Sequence, residues 1–466
     1  MSASLIWIVF PIVIAGILIA LSRQRSLVFF GSIFVAALLA LLAWQLKVDE
    51  VIIVGSGAFK IQPELSVAGR QFVISNADRP QIMFFYSMLV FWFVGTAAIR
   101  VPRLFIPLGL LSTTVFVAAL SVEPPLFAAL LNEIAVLITV FMLITVGERI
   151  NRGLVRFLIY QTIGMLLILM AGWFLEGVQV DAGNIVDILR AAVLLGLGFA
   201  LQLGIFPFHS WIPMLFEKTH PYITTFVLSL LLSVETIYIA GILSRNPWLQ
   251  EILDIRAVLH FVGIMMLVVG GLWTAFQKNL SRILGFTFLA AIGQIVLMLS
   301  IEDGIQFFYA FSAPRILALG IWAVSLSLLR THVLDMRFSS VQGMARRFPM
   351  IAGAVVVAQF SLAGMPLLAG FPTALILWEQ YATSEYWPVL LSILGSASLM
   401  ISGFRTLAVF VMGLDELKHE DNFNQWFVPR AILFIGVSFL FLMGLFPQWF
   451  VPALLSISTM TAPLVP

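Results

Sequence analysis

Long apolar runs constrain this chain more than any other feature. A helix needs about 20 apolar residues to cross the hydrocarbon core of a bilayer, and about fourteen runs approach that length. Only 10% of the residues are charged, against about 25% in an average soluble domain. We therefore predict an all-α polytopic membrane protein with about 14 transmembrane helices. The runs cover approximately 4–22, 27–46, 81–99, 103–121, 124–146, 153–175, 187–207, 221–243, 255–275, 283–301, 304–330, 346–366, 385–411 and 428–446.

Charge and cysteine content exclude several classes of function. A net charge of +2 is too small to indicate a nucleic-acid partner. The chain has no cysteine, so it cannot form disulfides or thiolate-ligated metal or iron–sulfur sites by itself. No metal-ligand cluster, phosphate loop or dinucleotide fingerprint is present, and we predict neither a cofactor, nor a metal, nor a catalytic site within the chain. The first apolar run lacks a basic segment before it and is predicted to be a retained helix.

Basic residues predict the orientation in the membrane. Sixteen lysines and arginines fall in odd-numbered loops and seven in even-numbered loops. Because basic loops stay in the cytoplasm, both termini are predicted to face outward.

The polar interval 47–80 is predicted to form a small hairpin on the outer membrane surface, and 447–460 to be an interfacial tail. We divide the chain into helices 1–3 (1–102), a first repeat (103–243), a second inverted repeat (255–411) and a C-terminal part (412–466).

Two apolar runs are interrupted by proline. The sequence "FPFHSWIPMLFEKTHP" (206–221) is predicted to end the seventh helix at Pro207 and Pro213. The sequence "LAGMPLLAGFPTALILWEQ" (362–380) is predicted to break the twelfth helix at Pro366 and Pro372. Interrupted helices at matching positions of two halves are typical of inverted-repeat transporters. The plain alternative is that each proline marks an ordinary helix end.

A few polar residues fall inside the apolar runs, where ionisable groups are costly and are functional candidates by default. We predict a proton pathway through carboxyl, amide and guanidinium groups, with His209 near a polar cytoplasmic entry. Four of these side chains also have a structural interpretation. In it, Glu133 is a neutral hydrogen-bonded acid and His209 caps a helix end. Glu235 and Arg315 form a static interhelical ion pair, or Arg315 supports the helix next to Pro314. His220, by contrast, is predicted to be solvated. The pathway candidates are Glu133, Gln202, His209, Glu235 and Arg315.

Four stretches carry a resemblance to a known family. They are "LLNEIAVLITVFMLI", "FALQLGIFPFHSWIPMLFEKTHPYITTFVLSLL", "FQKNLSRILGFTFLAAIGQIVLML" and "GMARRFPMIAGAVVVAQFSLAGMPLLAGF". In order and spacing they resemble the antiporter-like, proton-translocating membrane subunits of complex I. The same family supplies subunits of multi-subunit cation/proton antiporters and of membrane-bound hydrogenases. The resemblance covers about residues 80–450.

The resemblance also shows where this chain departs from the family. The family glutamate of the fifth helix corresponds to Glu133, but its lysine partner on the seventh helix corresponds to Gln202. The lysine of the eighth helix falls at Val234, beside Glu235, and that of the eleventh helix at Arg315. The tenth-helix histidine falls near Ala290, and the last charged position of the twelfth helix falls at Ala374. Because arginine does not release its proton readily, Arg315 is expected to act as a fixed positive charge.

The resemblance implies a membrane subunit that conducts protons, or exchanges Na⁺ and H⁺, in a complex-I-like assembly. Redox chemistry would belong to partner subunits, so the resemblance implies a subunit of an NADH-quinone oxidoreductase-like complex that has no catalytic site of its own. One alternative is a non-pumping structural or coupling subunit that kept the fold. Another is the membrane partner of an inorganic-carbon uptake system with a soluble zinc subunit. The expected partners are other membrane subunits, the lipid bilayer and a soluble redox or zinc protein, in a bacterial inner membrane.

Overall fold

The computed structural model describes residues 2–54, 57–67, 69–144, 151–180, 185–246, 254–382, 386–413 and 427–459. Helices dominate these residues, and we number them in chain order. The first nine are α1 (Phe10–Ala20, preceded by a π-helical turn Leu5–Val9), α2 (Arg25–Gln45), α3 (Arg79–Gly95), α4 (Phe105–Ser121), α5 (Leu126–Leu143), α6 (Arg152–Val180), α7 (Ile185–Gln202), α8 (Trp211–Lys218) and α9 (Pro221–Arg245).

The remaining helices follow with short connections. They are α10 (Ile255–Phe276), α11 (Leu280–Ser300), α12 (Phe308–Leu329), α13 (Pro349–Leu362), α14 (Gly370–Ala382), α15 (Tyr386–Val411), α16 (Phe427–Leu445) and α17 (Pro447–Thr459). A four-residue helical turn, Met344–Arg347, precedes α13.

The helices have the length and surface of membrane spans. Within the described ranges, nine helices are long and apolar enough to cross a bilayer, and α1, α4 and α13 are shorter apolar helices. Large apolar side chains such as Phe30, Phe141 and Trp173 are exposed on the outside of the bundle. Such a surface is stable against acyl chains and not against water. The chain is therefore an integral membrane protein, with α9, α11 and α12 enclosed by the other helices.

Small β-structure gathers at one end of the bundle. The interval predicted as one hairpin contains two: Val51–Val54 pairs with Gly57–Lys60, and Glu64–Val67 pairs with Arg70–Val73. The second hairpin gains a third strand, Val122–Glu123, from the connection between α4 and α5. The amide of Ala3 donates to the carbonyl of Gln62 at 2.8 Å, so the beginning of the chain lies at this end too.

Loops rich in basic residues meet at the opposite end. Arg330 donates through Nη1 to the carbonyl of Thr219 at 2.7 Å, and Arg282 pairs with Glu217 at 2.8 Å. These contacts join the C-terminal end of α8 to the start of α11 and to the connection that follows α12.

The two interrupted helices end in the same way. Gly204 and Gly364 adopt left-handed conformations with φ of +62° and +75°. Their amides donate to carbonyls three residues earlier at 3.3 and 3.1 Å, and the following amides, of Ile205 and Met365, donate five residues back at 2.8 and 3.0 Å. This pair of bonds is the Schellman motif, in which glycine satisfies the carbonyls at a helix end. In both α7 and α13, therefore, a glycine just after the last helical residue closes the helix end, and a proline does not.

The prolines have a different role from the predicted one. The apolar runs 187–207 and 346–366 extend past the helix ends at Gln202 and Leu362, so Pro207 and Pro366 lie beyond the helices they were expected to end. Pro213 and Pro372 each occupy the third position of the next helix, α8 or α14. First-turn amides have no partner within a helix, so proline is tolerated there and starts these segments.

Candidate functional site

Glu133 lies inside the bundle on α5, at the contact with α6. Its side chain is 8% exposed, and Thr162 of α6 donates to Oε1 at 2.6 Å. The other carboxylate oxygen, Oε2, has no partner among the described residues. The neighbouring Asn132 is also buried, and its Oδ1 likewise lacks a partner there. A carboxyl group with one free oxygen beside a buried amide is a suitable place for a proton to bind or leave.

Gln202 is the last residue of α7, directly before the first break. Its backbone carbonyl accepts a hydrogen bond from Gln161 Nε2 at 2.9 Å, which satisfies a group that the helix end would leave open. Its side chain is buried, and its Oε1 has no partner in the described part of the chain. Glu133 and Gln202 thus contact adjacent residues of α6, Thr162 and Gln161, from two sides.

Close packing of α6 on α7 brings this arrangement about. A Cβ atom added at Gly164 would lie 2.6 Å from Cγ of Gln202 and 2.9 Å from the carbonyl oxygen of Gly198. A Cβ atom at Gly198 would lie 2.6 Å from Cγ1 of Ile168. Small residues let membrane helices approach at backbone distance. The two glycines therefore determine how near Gln202 lies to α6.

His209 lies in a 3₁₀ turn, Phe208–Ser210, between the break and α8. Its ring stacks on Phe206 with centroids 5.4 Å apart. In the same turn, Ser210 accepts a hydrogen bond from Arg156 Nη1 at 3.2 Å. The structure thus places His209 in the turn that follows the broken helix, next to the serine that Arg156 contacts.

Glu235 lies on α9 and is 2% exposed, and its Oε2 has no partner in the described ranges. Tyr238, one turn further along α9, contacts α7 through the ring of Phe199 at 5.8 Å. Its hydroxyl donates to the carbonyl of Pro125, at the start of α5, at 3.3 Å. Since residues three apart are neighbours on a helix surface, Glu235 faces the same side as Tyr238, toward α5 and α7.

Arg315 lies on a different side of α9. It is 6% exposed on α12, directly after Pro314, and donates through Nη2 to Oε1 of Gln294 on α11 at 3.1 Å. Its Nη1 has no partner among the described residues. The predicted static ion pair with Glu235 is not formed: no nitrogen of Arg315 comes within 4.0 Å of that carboxylate.

Glu235 and Arg315 do not pair because Glu235 and the α9 residues next to Arg315 point in different directions from the helix axis. A small cavity beside Arg315 is lined from α9 by Leu232 and by the hydroxyl-bearing residues Ser229, Ser233 and Thr236. At about 100° per residue the three hydroxyl-bearing positions lie on one face, and Glu235 points roughly 120° away from it. The backbone of α9 therefore separates the carboxylate from the guanidinium.

The positions corresponding to the other charged residues of the family are apolar and enclosed. Val234, Ala290 and Ala374 are all buried. At the second break, Gln359 Nε2 donates to Oγ of Ser402 at 3.0 Å. This half of the chain thus supplies amide and hydroxyl groups near its break.

Three important polar residues were missed by sequence reasoning: Gln161, Thr162 and Gln294. Each stands in an otherwise apolar run, and an isolated glutamine at that depth was the available signal. Gln294 lies one turn after Ala290 on α11. The hydroxyl of Thr162 was harder to recognise, because threonine in membrane helices commonly bonds to its own backbone.

Comparison with known proteins supports the family resemblance found in the sequence. A sequence model of the family described as "NADH:quinone oxidoreductase/Mrp antiporter, TM" matches residues 157–402, which include Gln202, Glu235 and Arg315. Subunit N of the NADH-quinone oxidoreductase of Hydrogenovibrio crunogenus is 27% identical, with 58% of this chain and 57% of that protein aligned. The corresponding subunit of Acidithiobacillus ferrooxidans is 26% identical, with 50% and 48% aligned. The chain spans about half the length of the curated relatives it matches.

Solved structures share the fold along nearly the whole chain. A chain of the Mrp complex from Dietzia sp. DQ12-45-1b superimposes with a TM-score of 0.78 at 16% identity, covering 99% of this chain and 98% of that one. A chain of respiratory complex I from Thermus thermophilus has a TM-score of 0.72 at 18% identity, with 98% of both chains covered. At these identities the likeness concerns the fold alone. Because the family model matches more than half of its residues, the chain belongs to the NADH:quinone oxidoreductase/Mrp antiporter transmembrane family.

Proposed function

We propose that this chain is a membrane subunit of a complex-I-like or Mrp-like assembly and conducts protons, or exchanges Na⁺ for H⁺. The observation that carries the proposal is the half-bonded carboxyl group of Glu133. One of its oxygens accepts from Thr162 at 2.6 Å, and the other has no partner among the described residues. A carboxyl group of this kind, buried inside the bundle with one oxygen unbonded, can take up and release protons within the membrane.

In this proposal the five candidates have separate roles. Glu133 and Glu235 carry protons, Gln202 and His209 order water near the first break, and Arg315 supplies a fixed positive charge. The relatives from Hydrogenovibrio crunogenus and Acidithiobacillus ferrooxidans are subunits of NADH-quinone oxidoreductases. The structural neighbours belong to multi-subunit membrane complexes. We therefore propose other membrane subunits as partners and a soluble partner that carries the redox chemistry or, alternatively, zinc.

The finer architecture belongs to the same proposal. We propose about fourteen spans, two inverted repeats at 103–243 and 255–411, termini on the outer side and a bacterial inner membrane. The matched Schellman motifs at Gly204 and Gly364 support the repeats. The basic loops collected at one end support the orientation. The absence of a cofactor and of a metal stays a prediction.

The test is potential-driven proton flux in vesicles that contain the assembled complex. Glu133→Gln removes the titrating group at nearly constant volume, and we expect flux to fall on the order of 10-fold or more. Flux equal to that of the unmodified chain would overturn the proposal. Thr113→Val, which changes a buried hydroxyl on α4, is the control for disturbance of the bundle.

A second candidate function is that of a structural subunit that does not pump. The apolar side chains at Val234 and Ala374 and the neutral Gln202, where the family carries charge, favour this reading. In that case deletion of the chain would disassemble the complex, while Glu133→Gln would leave both composition and flux unchanged.

A further inference from the structure

An open cavity of about 510 Å³ lies at the end of the bundle that carries the β-hairpins. The N-terminal ends of α3, α5 and α12 and the C-terminal ends of α4 and α9 surround it. We call it the outer vestibule. We propose that the outer vestibule is the aqueous connection between the outer face and Glu235, and that Tyr238 forms its floor. The inference deepens the proposed function, because it names the carboxylate from which the conducted ion reaches the outer solution.

The position of Tyr238 connects the cavity with the carboxylate. Tyr238 lines the vestibule, and Glu235 lies three residues further into the membrane, about 4.5 Å along the helix axis. On α5, Ala128 also lines the cavity, and the buried Asn132 follows one turn below it. Two helices thus bring polar groups directly beneath the same cavity.

The opposite direction from Glu235 is closed by apolar side chains. Leu228, Leu231 and Leu232 precede it on α9, and they are 3%, 5% and 6% exposed. The serines of α9, Ser229 and Ser233, face the separate small cavity beside Arg315. On the face of α9 that carries Glu235, the polar neighbour is therefore Tyr238, on the side of the outer vestibule.

Charged residues stand at the mouth of the vestibule. Asp78, Arg245 and Asp303 line it, and no salt bridge joins them to one another in the described residues. Oδ2 of Asp78 accepts from the amide and hydroxyl of Ser75 at 2.8 Å each, which holds this carboxylate in place. Two carboxylates and one guanidinium make an entrance that water and small hydrated cations can occupy.

The absence of cysteine from the chain permits a direct test. Gly241 lines the vestibule, and a Cβ added there meets no atom within 4 Å. Gly241→Cys therefore places a thiol in the cavity without a clash. Gly196→Cys is the matched control, because Gly196 is exposed on α7 with equally open space but does not line the cavity. Glu235→Cys places a thiol at the proposed end of the connection.

Each variant is assembled into its complex in oriented vesicles and treated with a small, charged, membrane-impermeant methanethiosulfonate reagent from one side. We expect rapid reaction of Gly241→Cys, slower reaction of Glu235→Cys from the same side, and none of Gly196→Cys. Adding Tyr238→Ala to Glu235→Cys should speed the reaction several-fold, because the floor is removed.

Reaction of Glu235→Cys only from the opposite side, or from neither side, would overturn the inference. So would failure of Gly241→Cys to react. Retention of the complex on size-exclusion chromatography shows that each variant has assembled. Labelling requires no ion flux, so an unchanged flux in Glu133→Gln would reject the proposed function and leave this connection standing, and the reverse also holds.

Discussion

Arg315 on α12 donates through Nη2 to Oε1 of Gln294 on α11 at 3.1 Å, and no carboxylate lies within 4.0 Å of the guanidinium in the described residues. The charge is thus held by a neutral amide. A buried cation without a counter-charge produces a strong local field in a low-dielectric interior. Such a field favours negative charge on any proton-carrying group or water nearby, which suits a fixed element of a conduction path.

If the charge of Arg315 is the important property, its replacement by lysine should be tolerated better than its neutralisation. We expect Arg315→Lys to keep most of the proton flux and Arg315→Gln to lose on the order of 10-fold. Flux in vesicles, normalised to assembled complex, is the measurement. Gln294→Leu tests the amide: we expect lower thermal stability, because the guanidinium loses its partner. Equal flux in the lysine and glutamine variants would show that the charge does not matter.

The hydrogen bond from Thr162 to Glu133 should tune proton release. Thr162→Val removes the donor at similar volume and should slow flux less than Glu133→Gln does, because the carboxyl group itself remains. Thr162→Ser keeps the hydroxyl and serves as the control. Infrared difference spectra of the protonated carboxyl should shift in the valine variant and not in the serine variant. An identical carboxyl band in all three proteins would contradict the observed bond.

Gln202 stands at the position where the family has a lysine, and its side chain packs on Gly164. Gln202→Lys has a stem of similar length and introduces an amine at the first break. We expect a higher proton flux from this variant, because an amine can take up and release a proton there and the amide of Gln202 cannot. Gln202→Met is the neutral control with a matched stem. A flux that stays at the level of the unmodified chain in both variants would favour the structural subunit over the conductor.

The left-handed glycine at the second break should resist substitution. Gly364→Ala forces a Cβ atom into φ of +75°, which costs about 1–2 kcal/mol, and places that atom 3.1 Å from Cβ of Ala374. We expect the Tm in detergent to fall by a few degrees. Gly353→Ala, inside α13, meets no atom within 4 Å and should not lower the Tm, because alanine is favoured over glycine in a helix interior. A similar Tm in both variants would argue against the Schellman end of α13.

His220 should make stability depend on pH. It precedes α9 and was predicted to be solvated, but the structure buries it in part. Burial and, to a smaller extent, the nearby charge of Arg330 lower its pKa, while a hydrogen bond to the backbone of Arg100 opposes them, and the net result is a fall from 6.5 to about 4. The folded chain therefore favours neutral histidine.

The lowered pKa of His220 determines how the stability of the chain changes with pH. Above pH 6.5 the contribution of His220 to stability is fully present, and it is lost as the pH falls toward about 4. We expect the Tm to fall across this window in the unmodified chain and to fall less in His220→Gln, which cannot gain a proton. Thermal scans in detergent at pH 7 and at several lower values down to pH 4 measure it. Parallel curves for the two proteins would show that His220 does not contribute.

Local composition was sufficient for the membrane class and the approximate helices, and the resemblance of four stretches indicated the family. An apolar run long enough to span a bilayer has no other stable fold in lipid, since every backbone group must bond within a helix. The same reasoning located both interruptions, near Pro207 and Pro366. It misjudged what ends the helices there, because a sequence shows that proline is disfavoured in a helix interior and does not show which glycine adopts a positive φ.

The residues themselves thus determined the class of protein, the candidate charges and the two interruptions, because burial in lipid makes each polar group in an apolar run conspicuous. Tertiary structure alone decided which of these groups meet. The glycine contact between α6 and α7 brings Gln202 to α6, and the rotation along α9 turns Glu235 away from Arg315. Such relations depend on helix packing and on angles between neighbouring helices, which the order of residues in a single apolar run does not contain.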